Sequence, residues 1–251
     1  MLLWVGEASF VRISRARCLG VVAKTNEAAR FVQARGFAPV HVIPCGYDET
    51  RFFTSDPQER DRCRNRLGLA ANELVLVYAG KLLAVRDVGS AIQALAILQH
   101  AGKSVRLLVA GRGPELDALK KQALELGVEA NVSFLGLLPW MQLRDAYWAG
   151  DVFVFPSHYE IFGLVLLEAM ACGMVVISTP VPAAKDIIST GQNGYVVPIG
   201  DPQALADVLG RIADDPSGLT DLRKAASQVV QDYTWPVVAE RIVDFAVGLG
   251  T

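Results

Sequence analysis

Cysteine is scarce here. Cys18, Cys45, Cys63 and Cys172 stand alone in 251 residues, and no two form a CxxC pair. That excludes a disulfide or zinc framework and fits reduced thiols in a cytoplasmic protein. Three histidines are present, with no HxxxH and no carboxylate cluster at ligand spacing, so no bound metal is expected. Net charge is nearly absent: 24 Lys and Arg face 26 Asp and Glu, so no global field points to nucleic acid or an anionic membrane. No apolar run is long enough to span a bilayer. The opening "MLLWVGEASF" lacks the basic start and small-residue cleavage site of a signal peptide. Arg12, Arg15 and Arg17 follow it and leave peripheral membrane contact open, beside the plainer reading of a solvated helix face. There is no internal repeat and no low-complexity tract.

Hydrophobic residues make up 52% of the chain, enough for a sizeable core in one large domain or two small ones. Short apolar runs alternate with amphipathic ones. "CLGVVAK", "VHVIP", "LVLVYAG", "VRLLVAG", "VSFLG", "DVFVFP" and "MVVIST" read as strands, several apolar throughout, as strands covered on both faces must be. Helices are expected over 26–35, 88–101, 115–127, 140–149, 163–172, 202–214, 217–232 and 236–249. Thr25 and Asp201 read as N-caps, Gly36 as a helix stop, and Pro114 and Pro139 as residues near helix starts. Strand–helix alternation implies an α/β fold, a Rossmann-like parallel sheet flanked by helices, with ligands beyond the carboxyl ends of the strands. The polar stretch at 45–57 reads as a linker.

"SHYEIFGLVLLEAMACG", residues 157–173, keeps Glu160 and Glu168 inside a mostly apolar segment. With a helix starting near Phe162, the N–H groups of Phe162, Gly163 and Leu164 lack helical acceptors, a ready site for phosphate. Six helical residues rise roughly 9 Å, too far for the two carboxylates of a retaining glycosidase, which stand about 5 Å apart. An extended ligand suits them better: hydroxyls at each end and phosphate between, as in a nucleoside diphosphate sugar. Two acids eight apart also occur on plain solvated helices, and Glu160 there would simply favour the helix dipole.

"PSHYEIFGLVLLEAMACGMVVIST" resembles the signature of the retaining glycosyltransferases of GT-B fold, the "group one" family. "VIPCGYDETRF", "VYAGKLLAVRDV", "LLVAGRGPE", "VSFLGLLPWMQLRDAYWAGDVFVFPS" and "GQNGYVVPIGDPQALADVL" are similar to the family's other landmarks, in family order. The resemblance implies that Glu160 contacts donor-sugar hydroxyls and Glu168 the nucleotide ribose. The amides of Phe162, Gly163 and Leu164 would hold the diphosphate and sugar, with Ser157 and His158 beside them. Lys81 and Arg86 fall where family members place an arginine and a lysine on the diphosphate, with the two residue types exchanged. Asp87 replaces a usual glycine and stands ready to pair with Arg86. Gly111 and Gly113 are expected to form a tight turn under the ligand, and the backbone near Leu137 and Leu138 to meet the base. Pro182 and Ala183 stand where paired glycines are frequent, and Asp186 where a glutamate is usual. The chemistry implied needs no cofactor and no metal: a hexose-like unit leaves its diphosphate, which helps deprotonate the acceptor on the same face.

The same resemblance divides the chain into a remnant of an acceptor domain at 1–44, the linker, a donor-binding domain at 58–232 and a returning helix at 233–251. With so little acceptor domain, donor binding with weak or no transfer is expected, and an apolar face of the last helix is expected to be exposed. A nucleotide-sugar-binding module, one subunit of a two-chain or homo-oligomeric enzyme, and a sugar-nucleotide epimerase stay open as alternatives. The acceptor, the sugar and the base are not readable.

Overall fold

A computed structural model describes residues 18–249. "MLLWVGEASF" and the arginines at 12, 15 and 17 lie outside the described residues.

The first described unit is small. Strand β1 (Val21–Ala23), helix α1 (Asn26–Gln33) and strand β2 (Val40–Val42) form a two-stranded parallel sheet with one helix. Thr25 caps α1 as expected, accepting from the Ala28 amide at 3.2 Å. From Ile43 to Asp56 the chain forms no helix or strand, apart from a bridge between Tyr47 and Thr234.

Helix α2 (Pro57–Arg66) follows and is one the sequence reading omits. Its composition, "PQERDRCRNR", has no apolar stripe, so hydrophobic periodicity is blind to it. Local chemistry starts it instead: Asp56 accepts from the Glu59 amide at 2.8 Å, and Pro57 opens the first turn. Its arginines then carry the packing. Arg60 and Arg64 reach Asp151, at 2.6 and 3.3 Å.

The main sheet has six parallel strands: β3 (Leu74–Ala79), β4 (Val105–Ala110), β5 (Val132–Gly136), β6 (Val152–Phe155), β7 (Val175–Ser178) and β8 (Gly194–Val196), in the spatial order β5-β4-β3-β6-β7-β8. All five pairings are parallel. β3, β6 and β7 are buried along their whole length, which is why they read as unbroken apolar runs. β8, three residues with a glycine first, escaped the sequence reading.

The connecting helices are α3 (Val88–His100), α4 (Leu116–Glu125), α5 (Trp140–Ala149), α6 (Leu164–Ala171) and α7 (Pro182–Ile187). The expected start of α6 near Phe162 is corrected to Leu164, because Gly163 takes a left-handed conformation (φ 76°) that a helix cannot continue. α7 was also missed; six residues are too few to show a period. Its Asp186 accepts from the Asn26 amide at 2.8 Å and so docks α1. The chain closes with α8 (Pro202–Asp214), α9 (Leu219–Val230) and α10 (Trp235–Gly248). Asp201 caps α8 at 2.9 Å, as read. The Phe245 ring of α10 lies tilted against His41 at 4.5 Å between centroids. Elsewhere α10 leaves Trp235, Ile242, Val243 and Val247 exposed.

The chain runs from β3 outward through β4 to β5, then returns to the other flank of β3 with β6. The order therefore reverses between β3 and β6. The loops leaving these two strands diverge there and open a crevice at their carboxyl ends.

Candidate functional site

Two cavities adjoin in that crevice. One, of about 330 Å³, is lined by residues including Tyr78, Lys81, Arg86, Glu160, Phe162, Gly163 and Leu164. The other, of about 320 Å³, includes Gly111, Arg112, Leu137, Leu138 and Leu143. Gly80, Lys81 and Val165 line both, so the two make one cleft. Larger cavities of about 410 and 620 Å³ lie at the amino ends of the strands, around Arg60 and Asp151. Position outweighs size here, since ligands of doubly wound sheets bind beyond the carboxyl ends.

The loop after β6 supplies the floor of the cleft. The Phe162, Gly163, Leu164 and Val165 amides have no acceptor among the described residues, as the first turn of a helix dictates. They leave partial positive charge at the mouth of α6. Lys81 follows β3 and has no carboxylate partner among the described residues. Its backbone is fixed by the Tyr78 hydroxyl, which donates to the Lys81 carbonyl at 3.0 Å. Tyr78 was not foreseen; the one sequence signal was a polar-tipped residue in an apolar strand. Burial pushes its phenol well up, with nearby Arg86 offsetting part of the effect. Arg112 and Cys45, which also line the cleft, were not foreseen either.

Arg86 and Glu160 form an ion pair at 2.6 Å, each side chain 20% exposed. Glu160 also accepts from the Ile161 amide at 2.8 Å. The expected Asp87–Arg86 pairing does not form. Asp87 instead caps α3, accepting from the Ser90 hydroxyl at 2.6 Å and lying 2.9 Å from His158 Nε2. Its backbone is left-handed (φ 48°), which accounts for a glycine at this position in the family it resembles. His158 is thus turned to Asp87. Ser157 is fully buried, and its hydroxyl donates to the Tyr159 carbonyl at 2.9 Å, fastening the loop.

Gly111 and Gly113 stand against backbone. A Cβ at Gly111 would lie 1.8 Å from the Gly80 carbonyl oxygen, and one at Gly113 2.2 Å from that of Leu82. These glycines let the loops after β3 and β4 pack together, which shapes the cleft wall. Leu138 lies in the cleft beside Leu137, between β5 and α5.

Glu168 sits one helical turn beyond Val165 and lines neither cavity. Burial pushes its carboxyl up to about 7, while the Tyr147 hydroxyl, 3.4 Å away, pulls the other way. The raised affinity for a proton has a consequence for stability. Its contribution is complete below pH 4.5, the ordinary value, and is lost as pH rises through about 7. Glu168→Gln, which cannot ionise, is expected to equal the wild type near pH 4 and exceed it by about 3 kcal/mol near pH 8. Urea denaturation at both pH values measures this; a variant weaker at both would contradict it.

Among the described residues no group of three or more His, Cys, Asp or Glu is placed to hold a metal ion, and no helix is long and apolar enough to cross a membrane.

Comparison with known proteins places the chain in a family. The profile of the family described as Glycosyl transferases group 1 matches residues 59–229. D-inositol 3-phosphate glycosyltransferase 1 of Catenulispora acidiphila is 35% identical over 235 residues, covering 89% of this chain and 56% of that protein. D-inositol 3-phosphate glycosyltransferase of Xylanimonas cellulosilytica is 32% identical over 250 residues, covering 96% and 58%. The chain thus spans about half the length of the curated relatives it matches. Among solved structures, Anabaena HepE in complex with UDP has a TM-score of 0.86 at 23% identity, over 97% of this chain and 68% of that one. The C-terminal domain of the group 1 family protein LpcC from Francisella tularensis has a TM-score of 0.69 at 25% identity, over 76% of this chain and 100% of that one. With its parallel sheet, its crevice at the β3–β6 reversal and a profile match across most of its length, the chain belongs to the glycosyl transferases group 1 family.

Proposed function

We propose that the cleft binds a nucleoside diphosphate sugar and that the chain serves transfer of its hexose with retention at the anomeric carbon. One observation carries this reading. The amides of Phe162, Gly163 and Leu164 and the side chain of Lys81, none paired among the described residues, meet at the sheet's switch point, where an anion is favoured from two sides. In this reading residues 58–232 form the donor-binding unit. Glu160 accepts from sugar hydroxyls and Glu168 from the ribose. Leu137 and Leu138 flank the base.

The chemistry follows from charge. As the sugar bond breaks, the diphosphate gains negative charge. Lys81 and the α6 amides are already aimed at it, so stabilisation costs no reorganisation. The departing phosphate oxygen then takes the acceptor's proton on the face it leaves, which gives retention. HepE was crystallised with UDP, and the named relatives act as D-inositol 3-phosphate glycosyltransferases. Uridine donors and inositol phosphate acceptors are therefore the first to try.

Calorimetric titration with UDP, GDP and ADP, then with UDP-glucose, GDP-mannose and ADP-glucose, tests the reading. Selective binding of one nucleotide and its sugar is expected. A folded chain that binds none of them contradicts it. Incubating the bound donor without acceptor separates transfer from epimerisation, since an epimerised donor would assign a different activity.

A further inference from the structure

Resting on that donor reading, we infer that Arg86 is a positioning residue for Glu160 and leaves the diphosphate to Lys81 and the α6 amides. Arg86 Nη1 donates to Glu160 Oε2 at 2.6 Å, to the Tyr159 carbonyl at 2.7 Å and to Ser157 Oγ at 3.2 Å. All three acceptors lie on the loop after β6. The guanidinium therefore reads that loop, although it belongs to the turn after β3. Lys81, by contrast, is exposed and without a carboxylate partner among the described residues.

Electrostatics argues for the same division. Arg86 and Glu160 are each only 20% exposed, so their pairing is poorly screened. Drawing Arg86 onto a diphosphate would strip Glu160 of its counter-ion and leave a half-buried carboxylate facing incoming negative charge. A carboxylate offers about four acceptor directions. Arg86 and the Ile161 amide occupy two of them and fix the group's orientation, so the others are presented to the cleft.

The loop does not depend on Arg86 alone. The His158 amide donates to the Val85 carbonyl at 2.9 Å, Ser157 Oγ donates to the Tyr159 carbonyl at 2.9 Å and lies 3.3 Å from that of Val85, and the His158 ring meets Asp87 at 2.9 Å. Removing Arg86 should free the Glu160 side chain while the backbone stays in place.

The test compares UDP with UDP-glucose by calorimetry, with GDP and GDP-mannose as the second pair. Arg86→Gln is expected to weaken the sugar nucleotide about tenfold and the free nucleotide less than about twofold. Glu160→Gln should show the same profile, and the double variant should be no worse than either single one. Arg86→Lys should recover part of the loss. Lys81→Gln should weaken both ligands alike. Equal losses for UDP and UDP-glucose in Arg86→Gln, or additive losses in the double variant, would overturn the inference and make Arg86 a diphosphate ligand. A folded wild type that binds neither pair would instead overturn the donor reading, and this inference with it.

Discussion

Asp151→Ala is expected to cost about 3–5 kcal/mol of folding stability. The side chain is 13% exposed and lies where β6 begins. It accepts from Arg60 at 2.6 Å, Arg223 at 2.9 Å, Arg64 at 3.3 Å and the Val75 amide at 3.0 Å. One carboxylate therefore ties α2 and α9 to the sheet. Arg60 and Arg64 also bond the carbonyls of Trp148, Ala149 and Gly150, at the carboxyl end of α5. Alanine would leave those bonds but strip three neighbouring cations of their counter-charge. Arg223 already feels the crowding: burial lowers its pKa first, and Arg60 and Arg64 lower it further, against Asp151. Chemical denaturation measures the loss. Glu125→Ala is the control, because its pair with Lys121 is exposed and worth about 0–0.5 kcal/mol. A loss below about 1 kcal/mol for Asp151→Ala would mean that the arginine–carbonyl bonds and packing seat α2 without the carboxylate.

Glu168→Ala is expected to lower nucleotide affinity by about 2–3 kcal/mol, the worth of charge-assisted bonds to two ribose hydroxyls. The residue stands behind Val165, one turn from the amides proposed to hold the diphosphate, a spacing that fits ribose beside phosphate. Its pKa adds a second signature. The free carboxyl titrates near 7, and ribose hydroxyls bind the ionised form, so affinity should rise as pH goes from about 6 to 8. The same titration in Glu168→Ala should be flat when run with the sugar nucleotide, whose diphosphate has no ionisation in this range. Unchanged affinity in Glu168→Ala would remove the residue from the site, whatever the pH profile.

The sequence exposed some layers of this structure and hid others. Buried parallel strands such as "LVLVYA" and "VFVF" declare themselves, because both faces must be apolar. Helix α2 was hidden because ion pairs, not an apolar face, seat it; its Asp56–Pro57 start was there to be read. β8 and α7 are too short for any period to emerge. At the site, the residue string from Ser157 to Gly173 was legible, but its connections were not. Arg86 meets Glu160, and Asp87 meets His158, across more than seventy residues of chain. Only the reversal between β3 and β6 brings those loops together. Gly111 was noticed as a glycine, yet its reason, the Gly80 carbonyl pressed against it, lies in tertiary structure.

The most direct measurement is a crystal structure of this chain soaked with the nucleoside diphosphate that calorimetry selects. The account predicts the diphosphate within hydrogen-bond distance of the Phe162, Gly163 and Leu164 amides and of Lys81. It also predicts the ribose toward Glu168, with Arg86 still on Glu160. Nucleotide seated instead in the cavity of Arg60, Arg223 and Lys224 at the amino ends of the strands would contradict it.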